Sequence, residues 1–226
     1  VLFVLPKQQP VQGTGRFIFA NVLAELTADE LKDFYAFGPY HHSSSKVALR
    51  THTANGQEII YAPRLIQAVH QFAHQAAAIA KREEFDVIHA HDWTSYLAGV
   101  AAKIATGKPL VLHVHATSFD QAGGDNVDPS IYKIEKEAFE LADRVVTVSG
   151  LTRDIIVRKH GVPVEKVEVV YNGTDVEEAP PLAPTLQELK AQGKKIVLYH
   201  GRITIQKGVD YFVQAAAKVI RHDPSI

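Results

Sequence analysis

The chain has 226 residues, of which 46% are hydrophobic and 22% charged, so a disordered, collagen-like or coiled-coil protein is excluded. Its 24 basic and 25 acidic residues leave a formal charge of -1, so no overall field favours nucleic acid, and no apolar run is long enough for a membrane span. The chain contains no cysteine, which excludes disulfides and thiolate metal sites and agrees with a cytoplasmic location.

Short β-rich runs alternate with longer amphipathic stretches, which predicts an α/β fold with a parallel sheet and helices on both faces. The predicted strands cover 1–6, 58–62, 86–91, 109–115, 144–149, 166–171 and 194–201, with a further possible strand at 33–38. The predicted helices cover 16–26, 64–81, 94–105, 129–142, 152–159 and 209–221.

A proline-rich polar stretch at 177–185 predicts a domain boundary. We therefore expect an amino-terminal domain over 1–176, a linker over 177–193 and the start of a second domain over 194–226. This second domain is expected to be incomplete, because one strand and one helix cannot bury both faces of a sheet.

The first candidate site is the sequence Gly13-Thr14-Gly15-Arg16, between the first predicted strand and helix. Small residues there allow backbone N–H groups to approach a phosphate or sugar. The third glycine of a G-x-G-x-x-G motif is missing, because position 18 is Ile. A tight turn without a ligand is an equally good interpretation.

The second candidate follows the strand at 86–91, where His89 and His91 lie on one face and are followed by Asp92 and Trp93. Ligands of open parallel sheets bind at the carboxyl ends of the strands. His91, Asp92 and Trp93 are therefore predicted to bind substrate, and a sugar suits their hydroxyl-binding and aromatic groups. His89 is better interpreted as a core histidine.

The third candidate ends the next strand, where His113 and His115 again share a face. Four histidines at neighbouring strand ends could suggest zinc. We predict no metal, because imidazoles that alternate along strands rarely converge tetrahedrally.

The fourth candidate is the segment 201–208, GRITIQKG, before the last predicted helix. Arg202 and Lys207 could converge on a diphosphate together with donors of the helix N-terminus. From the residues alone, a cationic surface turn is an equally good interpretation.

Together, HAHDW, HVHATSFD, ADRVVTVS, the turn at 172–175 and GRITIQKG resemble in order and spacing the GT-B glycosyltransferases of the retaining family-4 type. The resemblance covers about 86–226, the first strand and GTGR. It implies two Rossmann-like domains, with the acceptor held mainly by the amino-terminal one and a nucleotide-sugar donor by the carboxyl-terminal one. It implies no cofactor.

The resemblance also implies roles for individual residues. His115 matches a histidine that contacts the donor sugar, and Arg202 and Lys207 match the basic pair on the donor diphosphate. Gly15 matches a glycine whose backbone faces that diphosphate, and Asp92 matches an acidic position beside the acceptor. His115, Arg202 and Lys207 are thus the predicted catalytic residues, acting by front-face transfer and charge stabilisation.

Three departures bear on this resemblance. The usual double glycine before the first helix is Gln12-Gly13, and the Lys-x-Gly-Gly loop of starch and bacterial glycogen synthases is missing. The family's E-x7-E segment is also not in the chain, which fits a truncated second domain. We therefore expect this chain alone to be inactive.

The expected function is transfer of glucose from ADP- or UDP-glucose to a glycan such as an α-glucan, because the TSFDQAGG loop is similar to that of glycogen-synthase-like members. One alternative is a sucrose-type or lipid-linked mannosyl transferase of the same family. An alternative of another class is a GT-B-shaped nucleotide-sugar epimerase, hydrolase or binding-only module. The expected partners are a nucleotide sugar and a glycan or small-sugar acceptor, with no nucleic acid and no membrane span.

Overall fold

A computed structural model describes residues 2–5, 16–19, 49–52, 58–61, 65–175 and 181–223. The chain separates into two compact units, Val1–Tyr171 and Asn172–Ile226. This division falls a few residues before the boundary predicted at 176.

The first unit contains eight strands in its described part. They are β1 Leu2–Leu5, β2 Arg16–Phe19, β3 Leu49–His52, β4 Glu58–Tyr61, β5 Ile88–His91, β6 Leu110–Val114, β7 Arg144–Thr147 and β8 Val167–Val169. Strands β5 to β8 form a parallel sheet in the order β5-β6-β7-β8, whereas β1 pairs with β2 in parallel and β3 pairs with β4 antiparallel. The parallel sheet is the one predicted from the alternating pattern.

Helices precede and connect the strands of the parallel sheet. They are α1 Leu65–Ala80, α2 Trp93–Thr106, α3 Ser118–Ala122, α4 Pro129–Leu141 and α5 Gly150–Ile155, which continues as a π-helix over Ile156–His160. A short 3-10 helix at Val164–Lys166 precedes β8. No helix in the described part of the chain combines the length and apolar character that crossing a membrane requires.

Local sequence signals set the ends of these helices. Asp128 caps α4 by accepting hydrogen bonds from the backbone N–H groups of Ser130 and Ile131, and Pro129 takes the first helical position, where its missing N–H is not needed. Gly107 ends α2 in the left-handed conformation that glycine adopts most easily.

The main core lies on one face of the parallel sheet. Inward-facing strand residues such as Leu110, Leu112 and Val145 are fully buried there. They belong to the same cluster as Tyr96 of α2 and Phe139 of α4. The alternation of buried and less buried residues along β6 is the period-two pattern of a strand that has one face in the core.

Helix α2 approaches the sheet very closely at Gly99. A Cβ atom there would lie 2.8 Å from Cδ1 of Leu110 and 2.9 Å from Cβ of Ala90. Both distances are shorter than normal contacts between carbon atoms. Helix α2 and the sheet can therefore pack at this distance only because residue 99 has no side chain.

We expect Gly99→Ala to lower the free energy of unfolding by about 1–3 kcal/mol, because overpacking outweighs the higher helix propensity of alanine. Urea denaturation measures the change. Gly150→Ala, at the first residue of α5 with open space around it, is the matched control and should be neutral or stabilising. Equal effects of the two substitutions would contradict the close packing.

One predicted element of the first unit differs from the structure, and others lie outside the described residues. Residues Arg16–Phe19 form strand β2 instead of the start of a helix, since the aromatic and β-branched residues of RFIF favour a strand beside β1. The rest of the helix predicted at 16–26, the possible strand at 33–38, and Gly13 to Gly15 lie outside the described residues.

The second unit contains α6 Pro184–Ala191, a 3-10 helix Ile205–Lys207 and α7 Val209–His222. Helix α6 lies inside the span predicted as a linker. The segment 194–201 was predicted to be a strand, but it forms no ladder with any described segment. Its apolar residues satisfy strand propensity, yet a strand also requires a hydrogen-bonded neighbour.

Candidate functional site

The candidate site begins where β5 and β6 end side by side. His91 is paired with His113 in the parallel register, and Asp92 and His115 come directly after the two strands. Parallel strands end at the same edge of their sheet, so these residues meet at the carboxyl edge, as the sequence predicts.

Asp92 links the two strand ends through its side chain. Its Oδ1 accepts a hydrogen bond of 2.8 Å from the backbone N–H of His115, and its own N–H donates to the carbonyl of His113 over 2.9 Å. The carboxylate therefore fixes the backbone at His115. Asp92 is predicted to lie beside the acceptor, and its carboxylate also holds His115, the predicted donor-binding histidine, in place.

The backbone of Asp92 is strained. Its φ of 56° and ψ of 165° belong to a region that is almost restricted to glycine and costs other residues about 1–3 kcal/mol. Such strain persists only where surrounding bonds impose it, here the pairing with His113 and His115. The strain lies at a residue that the sequence assigns to the site.

Four imidazole rings form a ladder across the neighbouring strand ends. His89 and His91 are 4.4 Å apart between ring centroids, and His113 and His115 are 4.5 Å apart. Between the strands, Nδ1 of His91 lies 3.1 Å from Nε2 of His115, a hydrogen bond that requires at least one neutral ring. His91 is thus the immediate neighbour of His115.

Three rings of the ladder, those of His89, His91 and His113, favour the neutral form. Although the His91 residue is exposed, partial loss of solvent around its ring lowers its pKa to about 4, and repulsion from His89, His113 and His115 adds to the shift. Partial loss of solvent also lowers the pKa of the exposed His89 and that of the half-buried His113, with repulsion from His115 the next largest cause in both cases. Asp92 partly opposes the effect on the pKa of His113.

This ladder predicts a pH-dependent stability. The pKa of His91 is about 4 in the folded protein and near its ordinary 6.5 when unfolded, so the unfolded chain binds the proton first as the pH falls. The stabilising contribution is present above about pH 6.5 and is lost as the pH falls towards about 4. We therefore expect the melting temperature of His91→Gln to fall less steeply than that of the wild type between pH 7 and pH 4, as measured by thermal denaturation.

The control for this experiment is His70→Gln, which removes one histidine from the exposed surface of α1, outside the ladder. Its melting temperature should decline with pH as steeply as that of the wild type. Parallel profiles for His91→Gln and the wild type would contradict the assignment.

The ladder gives little support for a metal site. One ring nitrogen from each of His89, His91 and His113 lies within 4.8 Å of the others. However, the three rings are inclined by only 3° to 30° to one another, and the lone pairs of stacked imidazoles run side by side instead of converging as a tetrahedral ion requires. The absence of a metal stays a prediction.

Trp93 does not lie where the sequence interpretation places it. The side chain was predicted to offer a face to a sugar, but it is only 4% exposed and packs in the core at the start of α2. A residue near a strand end can turn inward when it begins a helix, as Trp93 does in α2. The tryptophan is a packing residue in this structure.

A tight turn carries His115 into helix α3. Thr117 caps this helix: its hydroxyl accepts from the N–H of Asp120, and the Asp120 carboxylate accepts from the N–H of Thr117. This reciprocal capping box fixes the chain just after His115. The next residue, Ser118, donates hydrogen bonds to the buried Glu135 of α4.

The sequence interpretation missed Glu135 and its neighbour His160. The available signal was the position of Glu135 on the apolar stripe of α4, four residues after Ile131 and three before Ala138. A charged residue on such a stripe requires a partner in the core.

The second unit carries the other predicted catalytic residues, Arg202 and Lys207, both exposed. The Tyr199 hydroxyl donates to the Arg202 carbonyl over 2.9 Å, which fixes the backbone there. Lys207 ends the 3-10 helix, and Gly208 then adopts the left-handed conformation before α7 begins. Lys207 is therefore held at the amino end of a long helix, where anions are favoured.

Solved structures identify the fold. Sucrose-phosphate synthase from Thermosynechococcus elongatus superposes with a TM-score of 0.55 and 19% identity, over 78% of this chain and 47% of that protein. The parallel sheet with flanking helices is thus of the GT-B class, which confirms the predicted α/β fold.

Sequence comparison identifies the family. The model of Glycosyltransferase Family 4 matches residues 34–178, well over half of the chain. The chain belongs to Glycosyltransferase Family 4, which confirms the resemblance found in the sequence.

Three curated relatives show how far the similarity extends. An uncharacterized glycosyltransferase of Methanocaldococcus jannaschii is 29% identical over 64% of this chain and 40% of its own length. Alpha-maltose-1-phosphate synthase of Mycolicibacterium smegmatis is 36% identical over 59% of this chain and 38% of its own length. D-inositol 3-phosphate glycosyltransferase of Gordonia bronchialis is 30% identical over 65% of this chain and 34% of its own length. The chain thus matches well under half the length of these relatives.

Proposed function

We propose that the protein is a retaining glycosyltransferase that transfers a sugar, glucose in the first instance, from a nucleotide sugar to a glycan acceptor. Membership of Glycosyltransferase Family 4 supports the class of reaction. The observation that carries the proposal is the carboxyl edge of the sheet, where Asp92 fixes His115 by a 2.8 Å hydrogen bond.

The proposed reaction forms a bond between an acceptor oxygen and the anomeric carbon of the donor sugar, and breaks the bond from that carbon to the diphosphate. The acceptor proton passes to a departing phosphate oxygen on the same face. Arg202 and Lys207 stabilise the charge that develops on the diphosphate. His115 contacts the donor sugar, and Gly15 contributes a backbone N–H.

Each predicted domain has a part in this proposal. Residues 1–176 bind mainly the acceptor, 177–193 connect the domains, and 194–226 begin the part that binds the nucleotide sugar. In this proposal, His91 and Asp92 bind the acceptor next to His115. A cytoplasmic location, where nucleotide sugars are abundant, belongs to the same proposal.

A small phosphorylated acceptor is a second candidate. The names of two relatives, alpha-maltose-1-phosphate synthase and D-inositol 3-phosphate glycosyltransferase, point to sugar or polyol phosphates. The α-glucan acceptor is our first choice, because of the TSFDQAGG loop that follows His115. The two acceptors differ in charge, so a direct assay separates them.

The test is an assay of the purified full-length protein with ADP-, UDP- and GDP-sugars, each offered an α-glucan, glucose 1-phosphate and inositol 3-phosphate. NMR of the product determines the anomeric configuration. Transfer with the configuration of the donor supports the proposal. Epimerisation or hydrolysis of the donor without transfer to any acceptor contradicts it.

A further inference from the structure

The core of the first unit contains a carboxylate that the proposed reaction does not use. Glu135 lies in the middle of α4 and is only 1% exposed, among the apolar residues Ile131, Ala138 and Phe139. Burying a carboxylate is costly unless hydrogen bonds replace its water. Its partners therefore show what this residue holds in place.

Both oxygens of Glu135 are directed at Ser118, the first residue of α3. Oε1 accepts from the backbone N–H of Ser118 over 2.8 Å, and Oε2 accepts from its hydroxyl over 2.5 Å. Bonds to an ionised acceptor are among the stronger hydrogen bonds in proteins, and a two-point contact also fixes orientation. Glu135 thus holds one residue of the turn by both its backbone and its side chain.

His160 packs against the same carboxylate. Its Nε2 lies 3.4 Å from Oε2 of Glu135, at ion-pair distance although not in hydrogen-bonding geometry. The ring is stacked on Tyr132 at 4.9 Å and meets the edges of Phe119 and Phe139. These ring contacts hold the imidazole in place beside the carboxylate.

The arrangement does not fit nucleophilic catalysis by Ser118. In an activated serine, the imidazole accepts the hydroxyl proton and the carboxylate orients the imidazole. Here the carboxylate lies between the two, and the serine is buried. The network is therefore suited to holding the chain.

We propose that Glu135 is a positioning residue for His115, an inference that rests on the proposed role of His115. Ser118 is three residues after His115, with the Thr117 capping box between them. Asp92 fixes the start of this turn at the His115 N–H, and Glu135 fixes its end at Ser118. The His115 ring thus projects from a segment that is anchored at both ends.

The expected effect of Glu135→Gln is a tenfold or larger loss of turnover in the full-length protein. Glutamine keeps the shape but replaces one acceptor oxygen by a donor, so the two donors of Ser118 can no longer both be satisfied. Glu140→Gln, an exposed change on the same helix, is the matched control and should retain normal turnover.

A double-mutant cycle separates positioning from general structural damage. If Glu135 acts through His115, Glu135→Gln should cause less than a twofold further loss in a His115→Ala background. An equal loss in both backgrounds would overturn the proposal.

Amide hydrogen exchange tests the same inference without any activity, so it remains decisive if the protein transfers no sugar. In Glu135→Gln, exchange at His115 and Thr117 should be at least tenfold faster, while Val145 in β7 keeps its rate. Unchanged exchange at His115, or equal acceleration at Val145, would overturn the proposal. Ser118→Ala, which removes only the hydroxyl bond, serves as a milder variant if Glu135→Gln does not fold.

Discussion

Alanine at Lys207 or at His115 is expected to reduce turnover about a hundredfold or more, provided that the protein is a glycosyltransferase as proposed. Loss of one preorganised group that stabilises developing charge typically costs that much. Lys207 lies next to the amino end of α7 and His115 at the carboxyl edge of the sheet, and both side chains are exposed. Removing either should therefore leave the melting temperature nearly unchanged.

Initial rates at saturating donor and acceptor measure this effect. Lys218→Ala on α7 removes the same charge from the same unit, and His74→Ala removes an exposed histidine from α1. Both controls should keep normal turnover. Near-normal turnover of both Lys207→Ala and His115→Ala, with unchanged melting, would refute the assignment of these two residues.

The largest loss of stability is expected for Phe139→Ala, at about 3–5 kcal/mol. Phe139 is fully buried, lies 5.6 Å from Tyr96 between ring centroids, and meets the edge of His160 at 5.0 Å. The substitution leaves a cavity where α2, α4 and the π-helix meet. Because a domain is stable by only about 5–15 kcal/mol, a large part of the total would be lost.

Urea unfolding of wild type and variant measures the difference. Leu141→Ala, two residues along the same helix, is the control, because that side chain is 48% exposed and should cost less than about 1 kcal/mol. Similar midpoints for Phe139→Ala and Leu141→Ala would show that the cluster around residue 139 is not tightly packed.

The sequence was most informative where local pattern and tertiary packing agree. Strands β5 to β8 alternate in hydrophobicity or are rich in β-branched residues, and the stripe of α1 repeats at helical spacing. For these elements, the same residues that favour the local structure also form the core. The prediction of the parallel sheet and of the carboxyl-edge site followed directly.

The failures arose where the decisive partner is distant in the sequence. Arg16–Phe19 forms a strand because β1 lies beside it, and 194–201 forms none because it has no described partner. Trp93 packs into the core because α2 starts there. The roles of Asp92 and Glu135 depend on bonds to residues 23 and 17 positions away, and a linear pattern does not encode such pairings.

The π-helix at Ile156–His160 limits how this segment can change in length among related proteins. A π turn holds about one residue more than an α turn, so it accommodates a single inserted residue without breaking the helix. Deleting one residue here would restore α geometry and rotate the following side chains by about 100°. His160 would then leave the ring stack beside Glu135. Homologues one residue shorter at this point would therefore need another group to support the glutamate.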